Sequence, residues 1–261
     1  MSDFHYDEHF SVLPLRSAID IVNPLQPDLV VLTGDFVTVP AFKHYFKNAK
    51  KAAEAVEPCA HLLGQLRARL GIFAILGNHD IGTDPHRITD NLQGRGIAVL
   101  RNRSISLEQG GQRLWLSGVD DVLERKSDME LALRGVPRDE PVVLLVHEPD
   151  CADRVARYPV DFQLSGHSHG GQVRIPLVGA LYLPPLARKY PWGLRRIGPL
   201  TLYTNAGIGT IGMPVRFNCP PEITLFTLRA ATRSDSLAVS LERDESKGAA
   251  SSPKHFSTRS C

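Results

Sequence analysis

FQLSGHSHGGQV, residues 162–173, ends a short apolar run in two histidines two positions apart, with Gly166, Gly170 and Gly171 around them. A pair of histidines taken alone is more often solvated than functional, so its meaning depends on whether other apolar runs end the same way. They do. LVVLTGD closes on Asp35, IFAILGNHD on Asn78, His79 and Asp80, VVLLVHEPD presents His147, and SDFH at residues 2–5 offers Asp3 and His5. Apart from SDFH, each group follows a run short enough, and rich enough in Val, Ile and Leu, to be a buried strand rather than a helix.

Seven such runs recur, at 29–33, 72–76, 113–119, 142–146, 161–165, 200–204 and 222–228. Helix-forming composition fills 41–57 and 60–70. Asp84 before Pro85 reads as an N-cap and first helical position, and Ser127 with Glu130 reads as a capping box. Strand and helix alternate through the first half, and strands dominate after Gly170, which predicts a layered α/β fold with mixed sheets. A length of 261 residues suits one such domain, spanning 1–229. From Ala230 the chain turns to Ser, Lys, Arg and Glu, and 230–261 reads as a disordered polar tail.

Composition excludes several functions. A net charge of +2 provides no long basic track, so nucleic acid is an unlikely partner. Four cysteines without a CxxC pair sketch neither a zinc knuckle nor a disulfide framework. No run approaches the roughly 20 apolar residues of a transmembrane helix, and no signal peptide precedes the first motif. As written, the chain reads as cytoplasmic or peripheral to a membrane.

In open α/β sheets ligands bind beyond the carboxyl ends of the strands, so these residues are expected to converge. On extended backbone, residues i and i+2 project to one side, which lets Asp3 act with His5 and His167 with His169. Burying so many polar groups together without a cation would be costly. Asp3, His5, Asp35, Asn78, His147, His167 and His169 are more ligands than one ion needs, so two ions are the economical reading, with Asp35 as bridge. Mixed N and O donors without thiolate admit Mn, Fe, Zn or Co.

The order D-x-H, GD, GNHD, H, GHSH resembles the calcineurin-like metallophosphoesterase superfamily over about residues 2–228. The segment YTNAGIGTIGMPVRFNCPPEITLFTL, residues 203–228, is similar to the closing region of its bacterial YkuE-like phosphodiesterase branch. The resemblance implies a four-layer α/β/β/α sandwich of two mixed sheets flanked by helices. It assigns Asp3, His5 and His169 to a first divalent ion, Asn78, His147 and His167 to a second, and makes Asp35 the bridge. His79 becomes the catalytic histidine outside the ligand set, oriented by Asp80. Only Met1 and Ser2 precede Asp3, so the superfamily's first strand looks truncated here, along with any leader or anchor ahead of it.

The implied activity is hydrolysis of a phosphodiester or pyrophosphate. Its rivals are a phosphomonoesterase and a catalytically impaired protein-binding scaffold. Between Val173 and Pro221 stand six basic residues and no acidic one, mixed with apolar side chains in VGALYLPPLARKYPWGL. The basic and apolar stretch 174–196 is therefore the expected contact with a membrane or a lipid-linked phosphoester, and relatives of this branch that cleave acylated nucleotide sugars point the same way.

Overall fold

Apolar spacing alone accounts for the first helix. Leu15, Ala18, Ile19 and Val22 recur at three- and four-residue intervals and are the buried positions of α1, Val12–Val22. The chain then continues through β1 (Val30–Leu32), α2 (Val56–Leu63), β2 (Ile72–Ala74), the single turn α3 (Asn78–Ile81), α4 (Pro85–Gln93) and β3 (Ile97–Val99). Next come β4 (Arg103–Gln109), β5 (Gln112–Gly118), α5 (Met129–Ala132), β6 (Val142–Leu145), α6 (Ala152–Val155) and β7 (Phe162–Ser165). A small ribbon of β8 (Arg174–Ile175) and β9 (Gly179–Ala180) precedes β10 (Gly193–Ile197) and β11 (Leu200–Thr204). The structure is a computed structural model describing residues 1–39, 52–229 and, by backbone alone, 238–242. The part of the expected helix at 41–57 that falls on 41–51 lies outside the described residues.

β1, β2 and β3 form a parallel sheet in that order. Residues 1–6 run beside β1 in the same direction: Met1 N donates to Val31 O, Thr33 N to Met1 O and Asp3 N to Gly34 O. These bonds place Asp3 and His5 level with the carboxyl end of β1. On the far side of this stretch, Ile208 N and Gly209 N donate to the carbonyls of Ser2 and Asp3.

The second sheet is mixed, in the order β10-β11-β7-β6-β5-β4, with parallel pairs at its centre and antiparallel pairs at both edges. The two sheets approach closely at Gly118, where a Cβ would come within 2.6 Å of Ile75 and Leu100 side-chain atoms. α1, α2 and α4 cover the outer face of the first sheet through Leu15, Leu63, Ile88 and Leu92. Met129 and Ala132 of α5 and Val155 of α6 join Val142, Leu144 and Leu202 on the outer face of the second. Strand alternation turns Val143 and Leu145, also buried, to the opposite face. Helix, sheet, sheet and helix are thus layered as the sequence implied. Burial of apolar area at roughly 25 cal/mol per Å² on both faces of each sheet holds the layers together.

Local signals hold with small shifts. Asp84 accepts from Arg87 N at 3.0 Å as the cap of α4. The cap of α5 is Asp128, which accepts from Leu131 N, rather than Ser127. α2 stops at Leu63, well short of residue 70.

The compact unit carrying these layers spans Met1–Ile223. A second unit begins at Thr224 and contains an antiparallel hairpin of β12 (Leu225–Arg229) and β13 (Ala238–Glu242). The stretch assigned by composition to a tail thus includes a strand. The rest of 230–261 lies outside the described residues.

Candidate metal centre

Parallel strands deliver their carboxyl ends to one edge, and there the expected residues meet. Three overlapping groups have donor atoms within 4.8 Å of one another: Asp3, His5 and His169; His5, Asp35 and His79; and Asp35, His147 and His167. Asp35 Oδ2 lies 3.1 Å from His147 Nε2 and 3.5 Å from His5 Nε2. The Nε2 atoms of His5 and His169 are 3.0 Å apart, and Asp3 Oδ1 is 3.5 Å from His169 Nε2. The imidazoles of His147 and His167 cross at 62° with centroids 5.0 Å apart. Asn78 is the first residue of α3, just beyond β2, with its Oδ1 buried and unpartnered.

The backbone reaching these positions is not extended. Asp3, His5, Asp35, His167 and His169 all have positive φ, from 40° to 67°. The i, i+2 projection argument therefore fails for both pairs, although the side chains still converge. Each residue sits in a left-handed turn that non-glycine residues adopt at a cost of about 1 kcal/mol or more, and strain of this kind gathers at functional sites. Neighbouring glycines make the turns fit. A Cβ on Gly77 would overlap Asp35 Oδ1, and one on Gly166 would overlap Ser2 Oγ.

Hydrogen bonds fix the rings. His147 Nδ1 lies 2.6 Å from the carbonyl of Thr33, which accepts its proton, so Nε2 is the nitrogen turned toward Asp35. A proton or a metal cation between this nitrogen and the carboxylate satisfies both. His5 Nδ1 is held by Thr38 Oγ1 at 3.0 Å, and His167 Nε2 donates to Pro185 O at 2.9 Å. Asp3 accepts His167 N through both oxygens. Thr38 and the carbonyls of Thr33 and Pro185 were not singled out in the sequence, because a backbone acceptor carries no residue signature.

His79 and Asp80 divide their work differently from the expectation. Asp80 Oδ2 accepts from Asp35 N and Gly77 N, and Oδ1 from Phe36 N and Val37 N, at 2.8 to 3.2 Å. Its carboxylate is spent on backbone amides that hold the turn bearing Asp35. The His79 ring is oriented instead by Val39 N, which donates to Nδ1 at 2.9 Å. Asp80 is thus a positioning residue for the Asp35 turn. The His79 backbone N also donates to Asp35 Oδ1 at 3.0 Å, and its ring stands edge-on to His5 at 4.8 Å.

Burial governs the charges. It pushes the pKa of His5 well below the usual imidazole range and lowers that of His167. Burial, helped by the Arg216 guanidinium, lowers His169 to about 3. These three are neutral and ready to coordinate. At His147 burial acts in the same direction, but the Asp35 carboxylate outweighs it and holds the ring well above its ordinary value. Burial likewise opposes ionisation of Asp35, and the His147 and His79 imidazoles overcome it. Arg216, one of the six basic residues between Val173 and Pro221, points inward and donates to the carbonyls of Ala206, Gly209 and Cys219.

Asn78 Oδ1 is buried without a hydrogen-bond partner, and His147 Nε2 is buried against the Asp35 carboxylate, 3.1 Å away. Unpaired buried polar atoms are rare, and neutral imidazole, carboxylate and amide oxygen together suit a divalent cation of the first transition row. The residues present fit such an ion.

A mixed α/β sandwich with this cluster at the carboxyl edge of its strands defines a metal-dependent phosphoric ester hydrolase. The chain belongs to the calcineurin-like phosphoesterase family, which it matches over residues 1–171. It is 36% identical over 233 residues to the uncharacterized metallophosphoesterase YkuE of Bacillus subtilis, covering 88% of this chain and 77% of that one. Identity to the phosphodiesterase YaeI of Escherichia coli is 30%, over 87% of this chain and 80% of the relative. The UDP-2,3-diacylglucosamine pyrophosphatase LpxG of Chlamydia trachomatis is 26% identical over 86% of this chain and 81% of its own length.

Proposed function

We propose that this protein hydrolyses a phosphodiester or pyrophosphate bond of a lipid-linked or nucleotide-sugar substrate, using two divalent cations drawn from Mn, Fe, Zn or Co. The observation carrying this reading is the convergence on Asp35 of imidazoles from four loops, with buried donor atoms left unpaired. Asp3, His5 and His169 would hold one ion and Asn78, His147 and His167 the other, with Asp35 shared between them. When bound, divalent cations polarise a phosphoryl group and acidify water at neutral pH.

The chain's own residues do the remaining work. Because Val39 N donates to Nδ1, Nε2 is the nitrogen from which the His79 ring can give a proton to a phosphoryl or leaving oxygen. Thr33, Thr38 and Pro185 hold their histidines in fixed orientation, as outer partners of metal ligands commonly do. A diester preference is supported by the likeness to YaeI, and an acylated, phosphorylated substrate by the likeness to LpxG. The basic and apolar stretch 174–196 would meet the lipid portion.

The test combines metal analysis with a chromogenic phosphodiester and the matching monoester. Bound metal at two ions per chain with preferential diester cleavage supports the proposal. Monoester preference makes the protein a phosphatase, and metal-free protein active on neither makes it a scaffold.

A further inference from the structure

The ribbon that follows His169 has an unusual tip. Residues 175–178 close the β8–β9 hairpin through a bond from Val178 N to Ile175 O, and turns of this kind favour Gly, Asn or Asp where φ is positive. Here Leu177 takes the left-handed conformation, at φ 66°, and is fully exposed. Val178 beside it is 71% exposed, and Leu181 and Tyr182 just after β9 are exposed as well. A second loop lies against the first: Arg174 N donates to Phe217 O, Phe217 N to Gln172 O, and Gln172 Nε2 to the carbonyls of Ile211 and Met213. That loop exposes Met213, Val215 and Phe217. Two hydrogen-bonded loops therefore present large apolar side chains to water, and contiguous exposed apolar surface of that kind marks a contact with a partner or a membrane.

Charge selects the occupant. Between Arg174 and Pro221 there is no carboxylate in the sequence. Of the cations in this stretch, Lys189 pairs with Asp153, Arg188 N donates to Asp150 and Arg216 is turned inward, whereas the guanidinium groups of Arg174, Arg188, Arg195 and Arg196 bond neutral oxygens or, for Arg174, also stand over the Trp192 ring. Exposed apolar tips on a stretch that carries cations and no carboxylate of its own complement an anionic lipid surface, into which the side chains insert while the guanidinium groups meet headgroup phosphates. We infer that the 175–182 hairpin and the 211–217 loop together form a bilayer-docking surface specific for anionic lipid, beside the metal centre. Both ends of the first loop are tied to that centre: Arg174 Nη1 bonds Gly170 O next to His169, and Pro185 O accepts from His167. Docking would therefore set the site at the membrane–water boundary, where the phosphoester of a lipid-linked substrate lies. This inference extends the reading of the substrate given above.

The experiment sediments the full chain with vesicles of phosphatidylcholine, with and without phosphatidylglycerol, and separately follows cleavage of a soluble chromogenic diester. Retention is expected on the phosphatidylglycerol vesicles and to be about tenfold weaker for Leu177→Asp/Val178→Asp and for Val215→Asp, with soluble diester cleavage unchanged in Val215→Asp. Absence of retention, equal retention on pure phosphatidylcholine, or retention indifferent to both variants overturns the proposal. Self-association of the chain in vesicle-free buffer, abolished by the same variants, also overturns it by making the surface a contact between copies. Diester cleavage without vesicle retention defeats the docking surface alone. Retention without cleavage defeats the hydrolase reading alone.

Discussion

The backbone N–H of Asp35 donates to Oδ2 of Asp80 at 2.8 Å, across 45 residues of sequence. The same carboxylate binds the amides of Phe36, Val37 and Gly77, so a buried group from α3 holds the turn that presents Asp35. An asparagine in its place offers one acceptor oxygen, and either orientation of the amide sets an NH2 group against two N–H donors. Each buried donor left unsatisfied costs about 1–3 kcal/mol. Asp80→Asn is expected to lose about 2–5 kcal/mol of stability in denaturant titration and to bind less metal. Reduced turnover with stability and metal content intact would instead mean that Asp80 acts on His79.

Chelation tests the fit of the cluster to a cation. Without an ion, Asn78 Oδ1 and His169 Nδ1 stay buried and unpaired. An ion present at a hundred times its Kd stabilises the folded chain by about 2.7 kcal/mol. Scanning calorimetry of chelator-treated protein should show a lower Tm and no hydrolysis, both restored by added Mn2+ or Zn2+. Identical melting with and without chelator would remove the metal from the description.

The two sheets and their edge were legible because strand burial leaves a run such as Val142–Leu145 with almost no polar residue, and because donor residues cluster after such runs. α1 was also written in the sequence, in the spacing of Leu15, Ala18, Ile19 and Val22, yet no helix was read there. β4 and β10 left weaker marks, since edge strands such as Arg103–Gln109 are half solvated and mix polar with apolar residues. The site's membership could be read, but its backbone could not: left-handed φ at Asp3, His5, Asp35, His167 and His169 follows from contacts between distant loops. Asp80 shows the same limit. A carboxylate whose partners are all backbone amides looks in sequence like a companion of the histidine next to it.

His79→Ala removes a ring without dismantling the cluster. The backbone N of residue 79 still donates to Asp35 Oδ1, and the groups containing His169 and His147 are unchanged. Metal content and Tm are therefore expected to stay near those of the unmodified chain. Turnover of a diester should fall by about 10²–10⁴-fold, the range for loss of a general acid. Loss of metal in this variant would move His79 into the ligand set.

Gly166→Ala separates the two halves of the centre. Gly166 has no unusual φ, so the effect is steric: a Cβ there would overlap Ser2 Oγ and stand 2.5 Å from Asp3 Oδ2. Residues 1–3 must then shift, and Asp3 leaves the bonds that it accepts from His167 N. Overpacking of this kind costs about 1–3 kcal/mol. Asp35, His147 and His167 approach one another without Asp3, so that group should keep its ion while the group of Asp3, His5 and His169 loses affinity. With manganese loaded, electron paramagnetic resonance should change from an exchange-coupled pair to a single ion. A coupled pair surviving in Gly166→Ala would show that Asp3 is not needed to hold the cation of the group it shares with His5 and His169.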